Sequence, residues 1–335
     1  MRTRTFALVG VLMLALALTA CGDSGSSGTK AKATSSSTAG GKADCAPVAG
    51  DQLVVLEDDQ ELQTVDNIIP AVNALASSDV MLEALNGVSD ALDTDTLISL
   101  NKQTDVDRET SPNVAKQFVE DEGLAEGLSD GSGKVVVGHA NFSENATLAN
   151  IYAEVLNAAG FDASVKQLGN REVYLPALEK GTIDVIPEYV GTLTETLNKA
   201  QNGADAEPIA SGDLDATVEG LTGLGEKVGL TFGEPSEAQD QNSFAVTTAF
   251  ADEHGVETLS DLAEECGAGL VLGGPPECPE RPFCQPGLEE TYGLSFDSFS
   301  ALDAGGPLTK TALEQGKISV GLVFSSDAAL ASSDG

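Results

Sequence analysis

Side chains able to do chemistry are scarce in this chain of 335 residues, which carries five cysteines, two histidines, four tyrosines and no tryptophan. Cys21 follows Leu18-Thr19-Ala20, at the end of an apolar run from Phe6 to Leu18 that Arg2 and Arg4 precede. That run is short for a bilayer span and has the layout of a cleavable export signal. A cysteine directly after a small residue in this setting reads as a lipoprotein box, with cleavage before Cys21 and acylation of its thiol. The remaining Cys45, Cys266, Cys278 and Cys284 are an even number in an exported chain, which predicts two disulfides. Three pairings are open to them. The proline-bearing loop Pro279-Glu280-Arg281-Pro282-Phe283 favours Cys278–Cys284, which leaves Cys45 with Cys266. Zinc spacing is missing, with no CxxC pair and only His139 and His254 to add. There is no phosphate loop and no nucleophile elbow, and neither histidine sits in a triad context. Glu57-Asp58-Asp59 ends a strand without a nucleophile or base beside it and reads as structural. These residues point to binding rather than catalysis, with no cofactor.

The elements that must position a site are densest at 134–192. Lys134–Gly138 is a β-branched run suited to a buried strand. A polar loop at Asn141–Asn145 follows, and then a helical rhythm of Leu148, Ile151, Tyr152, Val155 and Leu156 that Gly160 stops. In such a βαβ unit the loop at the strand's carboxyl end meets a helix N-terminus and offers backbone donors to a ligand. Residues 22–44 are mostly Gly, Ser, Thr, Ala and Lys with no large apolar side chain, and read as a flexible tether. Without signal and tether, roughly 290 residues remain, enough for two α/β lobes. The formal charge of −36 argues against nucleic acid or an anionic lipid surface as partner.

Six ordered blocks resemble the solute-binding proteins of osmoprotectant ABC importers, which take up glycine betaine, carnitine, choline or proline betaine. They are NFSEN at 141–145, LGNREVYLPAL at 168–178, IDVIPEYVGT at 183–192, DQNSFAVT at 240–247, GGPPECPERPFC at 273–284 and LDAGGPLTKTALEQGKISVGLVFSSD at 302–327. The resemblance implies an α/β chain with the type II periplasmic-binding-protein fold, two lobes around a ligand cleft, and an ABC permease as partner. In the family, a block like LVVLEDD with two or three helices closes the chain. Here LVVLEDD sits at 53–59, with helical followers expected at Ile68–Leu75, Val80–Leu92, Thr94–Gln103 and Pro112–Glu122. The order therefore implies a circular permutation, its join at the Gly/Ser-bearing run Glu126–Gly133. The expected division is a signal peptide at 1–20, a lipidated Cys21 and tether at 21–49, lobe one at 50–238 with 325–335, and lobe two at 239–324. One covalent hinge is expected near Asp240–Val246, the strand Leu53–Leu56 in one sheet with Val135–Val137, the chain end close to Asp51, and the Cys45–Cys266 bond tying the two lobes together.

A quaternary ammonium offers no conventional hydrogen-bond donor, so aromatic faces hold it by cation–π contact, while a betaine carboxylate needs donors. The resemblance places cage rings at Tyr189, Phe244 and Phe324. Asp66 stands where a fourth ring belongs and serves either as a partner for a cation or as a helix cap. Thr192 and Arg281 fall at the anionic end, Asn145 ends the NFSEN block, and Asn242 either lines the cleft or shapes the hinge turn. Tyr152, Tyr174 and Tyr292 read as packing, and Arg171-Glu172 as a cleft-mouth pair or an internal ion pair. Ala140 stands where the family has a lysine. These departures widen the expected solute from glycine betaine to choline-like cations. A sensing or adhesive lipoprotein that keeps the fold is the alternative.

Overall fold

The computed structural model describes residues 43–331, so Cys21, the export signal and nearly all of the tether lie outside the described residues. The chain opens with β1 (Ala43–Asp44) and β2 (Leu53–Leu56), then crosses to β3 (Ile68–Asn73). Helices α1 (Asp79–Asp90), α2 (Thr94–Asn101) and α3 (Ser111–Asp121) follow, with a π-helical turn at Lys102–Val106. Next come β4 (Lys134–His139), α4 (Ser143–Ala159), β5 (Asp162–Gln167), α5 (Arg171–Glu179) and β6 (Val185–Tyr189). Then α6 (Val190–Asn202), α7 (Leu214–Glu226) and β7 (Leu230–Phe232) complete this part. After a second crossing the chain forms β8 (Asn242–Thr247), α8 (Thr248–His254), α9 (Leu259–Glu265), β9 (Cys266–Ala268) and β10 (Val271–Gly274). It ends with α10 (Gln285–Tyr292), β11 (Ser298–Ala301), α11 (Pro307–Glu314), β12 (Val320–Phe324) and α12 (Ala328–Ala331).

Two five-stranded sheets result, ordered β5-β4-β6-β3-β7 and β11-β10-β12-β8-β2. In each, a strand arriving from the other sheet runs antiparallel between the third and fifth strands: β3 against β6 and β7, β8 against β12 and β2. Two lobes that exchange one strand each in this way have the type II periplasmic-binding-protein fold. Helices cover both faces of the sheets, so the central strands are apolar on both sides. In lobe one, β3 buries all six residues; α1, α3 and α4 cover one face around Leu85, Phe118 and Tyr152, and α5, α6 and α7 the other around Leu178, Leu193 and Leu221.

Four expectations are corrected here. Ile68–Leu75 is not helical: 68–73 is the strand β3. A short apolar run does not distinguish strand from buried helix by periodicity, and here burial on two faces decides for the strand. Leu53–Leu56 pairs with β8, not with the sheet of Val135–Val137, and residues 43–56 belong to lobe two, with Cys45 and Leu56 in its core. The Cys45–Cys266 bond consequently staples lobe two internally instead of joining the lobes. The hinge is also not single. The segments 57–67 and 233–241 both cross, side by side, joined by the Asn67–Gln239 bridge, Ile68 N–H to Ala238 O at 3.0 Å and Asp240 N–H to Asp66 O at 3.1 Å. The reason is that β2 is an edge strand of one lobe and β3 an inner strand of the other, so the chain must pass between them.

Asp58 fixes the start of the first crossing: its carboxylate accepts the N–H groups of Leu62 (3.0 Å) and Gln63 (2.7 Å) and the hydroxyl of Tyr292. The last described helix, α12, packs against β2 and against the π-helical turn and α2 of lobe one. No helix among the described residues is long and apolar enough to cross a membrane.

Candidate functional site

A cavity of about 80 Å³ lies between the lobes. From lobe one it takes the carboxyl ends of β4 and β6 and the helix starts that follow them, the usual ligand position in an α/β sheet. After β4 the chain runs through Ala140 and Asn141 to Phe142, the residue before α4; Tyr189 ends β6, and α6 begins at the next residue. From lobe two come Leu322 and Phe324 at the end of β12 and the disulfide-closed loop 275–284, which brings Pro275, Arg281, Pro282 and Phe283. The crossings add Asp66, Asp240 and Asn242.

Three rings face one another across this space. The Phe142 ring centre lies 6.3 Å from that of Tyr189 and 5.7 Å from that of Phe324, tilted by 31° and 30°. The Tyr189 hydroxyl donates to Glu144 Oε1 at 2.7 Å, and burial first, then the nearby carboxylates, push its pKa up. The ring face is therefore presented by a phenol that stays neutral.

The charges divide into committed and available groups. Arg171, buried, donates Nε to Glu188 Oε1 at 3.0 Å and Nη2 to Glu188 Oε2 at 2.8 Å, and also reaches Thr192 Oγ1 at 2.9 Å. Burial lowers the Arg171 pKa, but Glu188 more than offsets this and the guanidinium stays charged. Arg281 pairs with Glu172 across the lobes and with Glu277 on its own loop, both at 3.2 Å. Both cations of the lining are thus already paired. Asp66 turns Oδ1 to the first turn of α6, accepting from Gly191 N–H at 2.9 Å and Thr192 N–H at 3.0 Å. A side chain at Gly191 would collide with the Val65 carbonyl, so the glycine is what lets the crossing come this close. Burial nevertheless outweighs these donors and pushes the Asp66 carboxyl up to about 7. Asp66 therefore caps α6 from outside that helix, its own segment continuing into the strand β3, and it also lines the cavity.

Of the residues singled out in the sequence, Asp66, Tyr189, Thr192, Asn242, Arg281 and Phe324 line the cavity. Asn242 also donates to Phe283 O at 3.0 Å, tying the loop to the hinge. Two expectations are corrected. Asn145 is fully buried behind the wall, its amide spent on Ala140 N–H (2.7 Å) and Pro187 O (3.0 Å), where it clamps β4 to β6. Phe244 lies one pleat deeper along β8, opposite Leu322 in the register, and belongs to the lobe-two core. Phe142 supplies a ring that the sequence reading passed over, although it sits inside the quoted NFSEN block just where the strand ends. Tyr174, read as packing, lines the cavity as well. Tyr152 and Tyr292 sit in the lobe cores. The disulfides Cys278–Cys284 and Cys45–Cys266 are both present.

Comparison with known proteins locates this architecture. The sequence profile of a family described as the substrate binding domain of ABC-type glycine betaine transport system matches residues 46–121 and 133–335. A glycine-betaine-binding protein of Pseudomonas aeruginosa is 28% identical over 188 residues, 53% of this chain and 57% of that protein. Glycine betaine-binding protein YehZ of Escherichia coli is 28% identical over 176 residues, 51% of this chain and 56% of its own length. The alignments thus span little more than half the length of these curated relatives. A crystal structure described as a glycine betaine/carnitine/choline ABC transporter aligns at 21% identity with a TM-score of 0.38, covering 60% of this chain and 72% of its own. With most of its described length matched by the family profile, the chain belongs to the substrate-binding domains of ABC-type glycine betaine transport systems.

Proposed function

We propose that this protein is an extracytoplasmic receptor that closes its lobes on a quaternary-ammonium solute, choline-like in preference to glycine betaine, and delivers it to the permease of an ABC importer. The observation that carries this reading is the make-up of the cavity: the facing rings of Phe142, Tyr189 and Phe324, the further rings of Tyr174 and Phe283, and the buried Asp66 carboxyl, with both lining cations already paired. A quaternary ammonium over aromatic faces in a desolvated site gains about 2 kcal/mol per good contact. A betaine carboxylate would need free donors. The Thr192 hydroxyl is turned toward Asp66 Oδ1 at 3.5 Å, and one of the two Asn242 amide N–H groups already donates to Phe283 O. Relatives named for glycine betaine support the quaternary-ammonium class; the wall of this cavity supports the cation over the zwitterion. We read Cys21 as the lipid anchor that holds the receptor at the outer face of the membrane. Circular permutation is supported by the interruption of the family match at 122–132, which coincides with the Gly/Ser-bearing join, and by α12 ending beside β2.

Isothermal titration of the protein with choline, glycine betaine, carnitine, ectoine and proline betaine is the test. Choline binding tighter than glycine betaine is expected. Tighter glycine betaine overturns the preference, and no heat from any quaternary ammonium overturns the reading as a whole.

A further inference from the structure

Behind the cavity wall lies a chain of buried polar groups that ligand contact alone does not explain. Glu144, in the first turn of α4, is 4% exposed and does not line the ligand cavity. Its Oε1 accepts the hydroxyl of Tyr189 at 2.7 Å. Its Oε2 accepts the Asn101 amide at 2.7 Å and meets Ser326 Oγ at 2.6 Å. Ser326 Oγ also lies 2.7 Å from Asp240 Oδ1, and the Asn101 amide lies 3.2 Å from Ser326 O.

These groups come from different bodies. Glu144, Tyr189 and Asn101 belong to lobe one, and Asp240 to the second crossing. Ser326 follows β12 of lobe two and enters lobe one's surface at the end of α2. Ser326 therefore stands where the lobes meet, in contact with lobe one and with the second crossing. A proton count sharpens the picture. The Ser326 hydroxyl carries one proton but stands between two carboxyl oxygens. Glu144 collects three donors, from Tyr189, Asn101 and Ser326. One of the two Ser326 contacts therefore needs a proton from a carboxyl, and Asp240 supplies it, because burial first and then the neighbouring Glu144 oppose its ionisation. The order of donation runs Asp240 to Ser326, Ser326 to Glu144, with Tyr189 donating to the other Glu144 oxygen. A phenol bonded to a carboxylate is held in one rotamer and its ring face is made more negative, which strengthens attraction for a cation in front of it.

We propose that Glu144 is a positioning residue for the ligand: it acts through the Tyr189 hydroxyl on the ring that faces the cavity and through Ser326 on lobe closure, so that a single carboxylate couples the two. This rests on the reading of the cavity as a quaternary-ammonium site, and it concerns a residue the ligand does not touch.

The test is a pair of double-mutant cycles read by choline affinity and by dissociation rate. Glu144→Gln is expected to weaken choline binding at least tenfold, mainly through faster dissociation. In a Tyr189→Phe or a Ser326→Ala background the same change is expected to cost at least threefold less, because part of what it removes is already gone. Additivity within twofold in both backgrounds overturns the proposal and reduces Glu144 to packing at the start of α4. Circular dichroism and melting without choline establish that each variant folds. If Glu144→Gln does not, Glu144→Asp takes its place, with the charge kept and the reach shortened by one methylene. Failure of the unaltered protein to bind choline or any betaine sinks the functional reading and this coupling with it; binding with additive losses sinks the coupling alone.

Discussion

At the scale of single residues the cavity separates ring faces from hydroxyls and charges. Tyr189 contributes a face toward the cavity and a hydroxyl toward Glu144. Tyr189→Ala removes both and is expected to weaken a quaternary-ammonium ligand at least about thirtyfold, from a contact of about 2 kcal/mol in a desolvated site. Tyr189→Phe keeps the face and should cost distinctly less in the same titration; equal losses would mean that the hydroxyl is the contact. Asp66 makes a prediction in pH. Its carboxyl titrates near 7 when folded and near the ordinary value of 3.8 when unfolded. The folded state therefore holds the extra proton between about 4 and about 7, and this group's contribution to stability is present below the unfolded value and lost as pH rises through the folded one. A cation beside Asp66 favours its ionised form, so binding expels the proton. Choline affinity should accordingly rise about tenfold or more from pH 5.5 to pH 8 and level off above about 7. Asp66→Asn, which can still cap α6, should flatten that profile in titrations at both pH values.

At the scale of elements the two disulfides do different work. Cys278–Cys284 closes a loop of sequence separation 6 that forms the lobe-two wall of the cavity, with Arg281 and Phe283 inside it. Cys45–Cys266 spans a separation of 221, fastens the lobe-two core and does not line the cavity. Chain entropy alone assigns about 2 kcal/mol to the short loop and about 5 kcal/mol to the long one. Replacing Cys278 and Cys284 by serine should lower choline affinity several-fold with a small loss of melting temperature. Replacing Cys45 and Cys266 should do the reverse. Paired titration and melting curves check this, and an affinity loss confined to the second pair would remove the short loop from the site.

At the scale of the whole molecule two pseudo-equivalent sheets, each with one strand borrowed across the hinge, make a clamp whose cavity exists only where the lobes meet. Sheet pairing does not depend on which loop carries the chain ends. The run 122–132 joins α3 to β4 at the surface of lobe one, and α12 ends beside β2. A chain opened within this run and closed from its present end to Ala43 by a Gly/Ser linker of about 15 residues, flexible enough to span the gap, is expected to fold. Choline affinity within threefold of the original and both disulfides intact by mass mapping are the expected results. Loss of either would mean that the present order of segments is required for the fold, contrary to permutation.

The sequence by itself determined what is local or carried by ordered motifs. The strand, loop and helix at 134–160 are legible because apolar period, loop polarity and Gly160 agree, with Gly160 closing α4 at a φ of 107°. The helices at 79–121 and the short disulfide loop are legible for the same reason, and the motif blocks placed the chain in its family. Tertiary structure decided the rest, because a strand's alternation names its two faces but neither its partner nor its depth. LVVL reads alike in either sheet, and only pairing with β8 puts it in lobe two. Phe244 and Phe324 both sit in apolar runs; the register that sets Phe324 opposite Asn242 and Leu322 opposite Phe244 sends one ring to the cavity edge and buries the other. Phe142 joins the rings, and Glu144 meets Ser326 across 182 positions and Asp240 meets Ser326 across 86, only because two lobes close over them. No local pattern encodes such meetings, since they arise from the packing of segments that are distant in the chain.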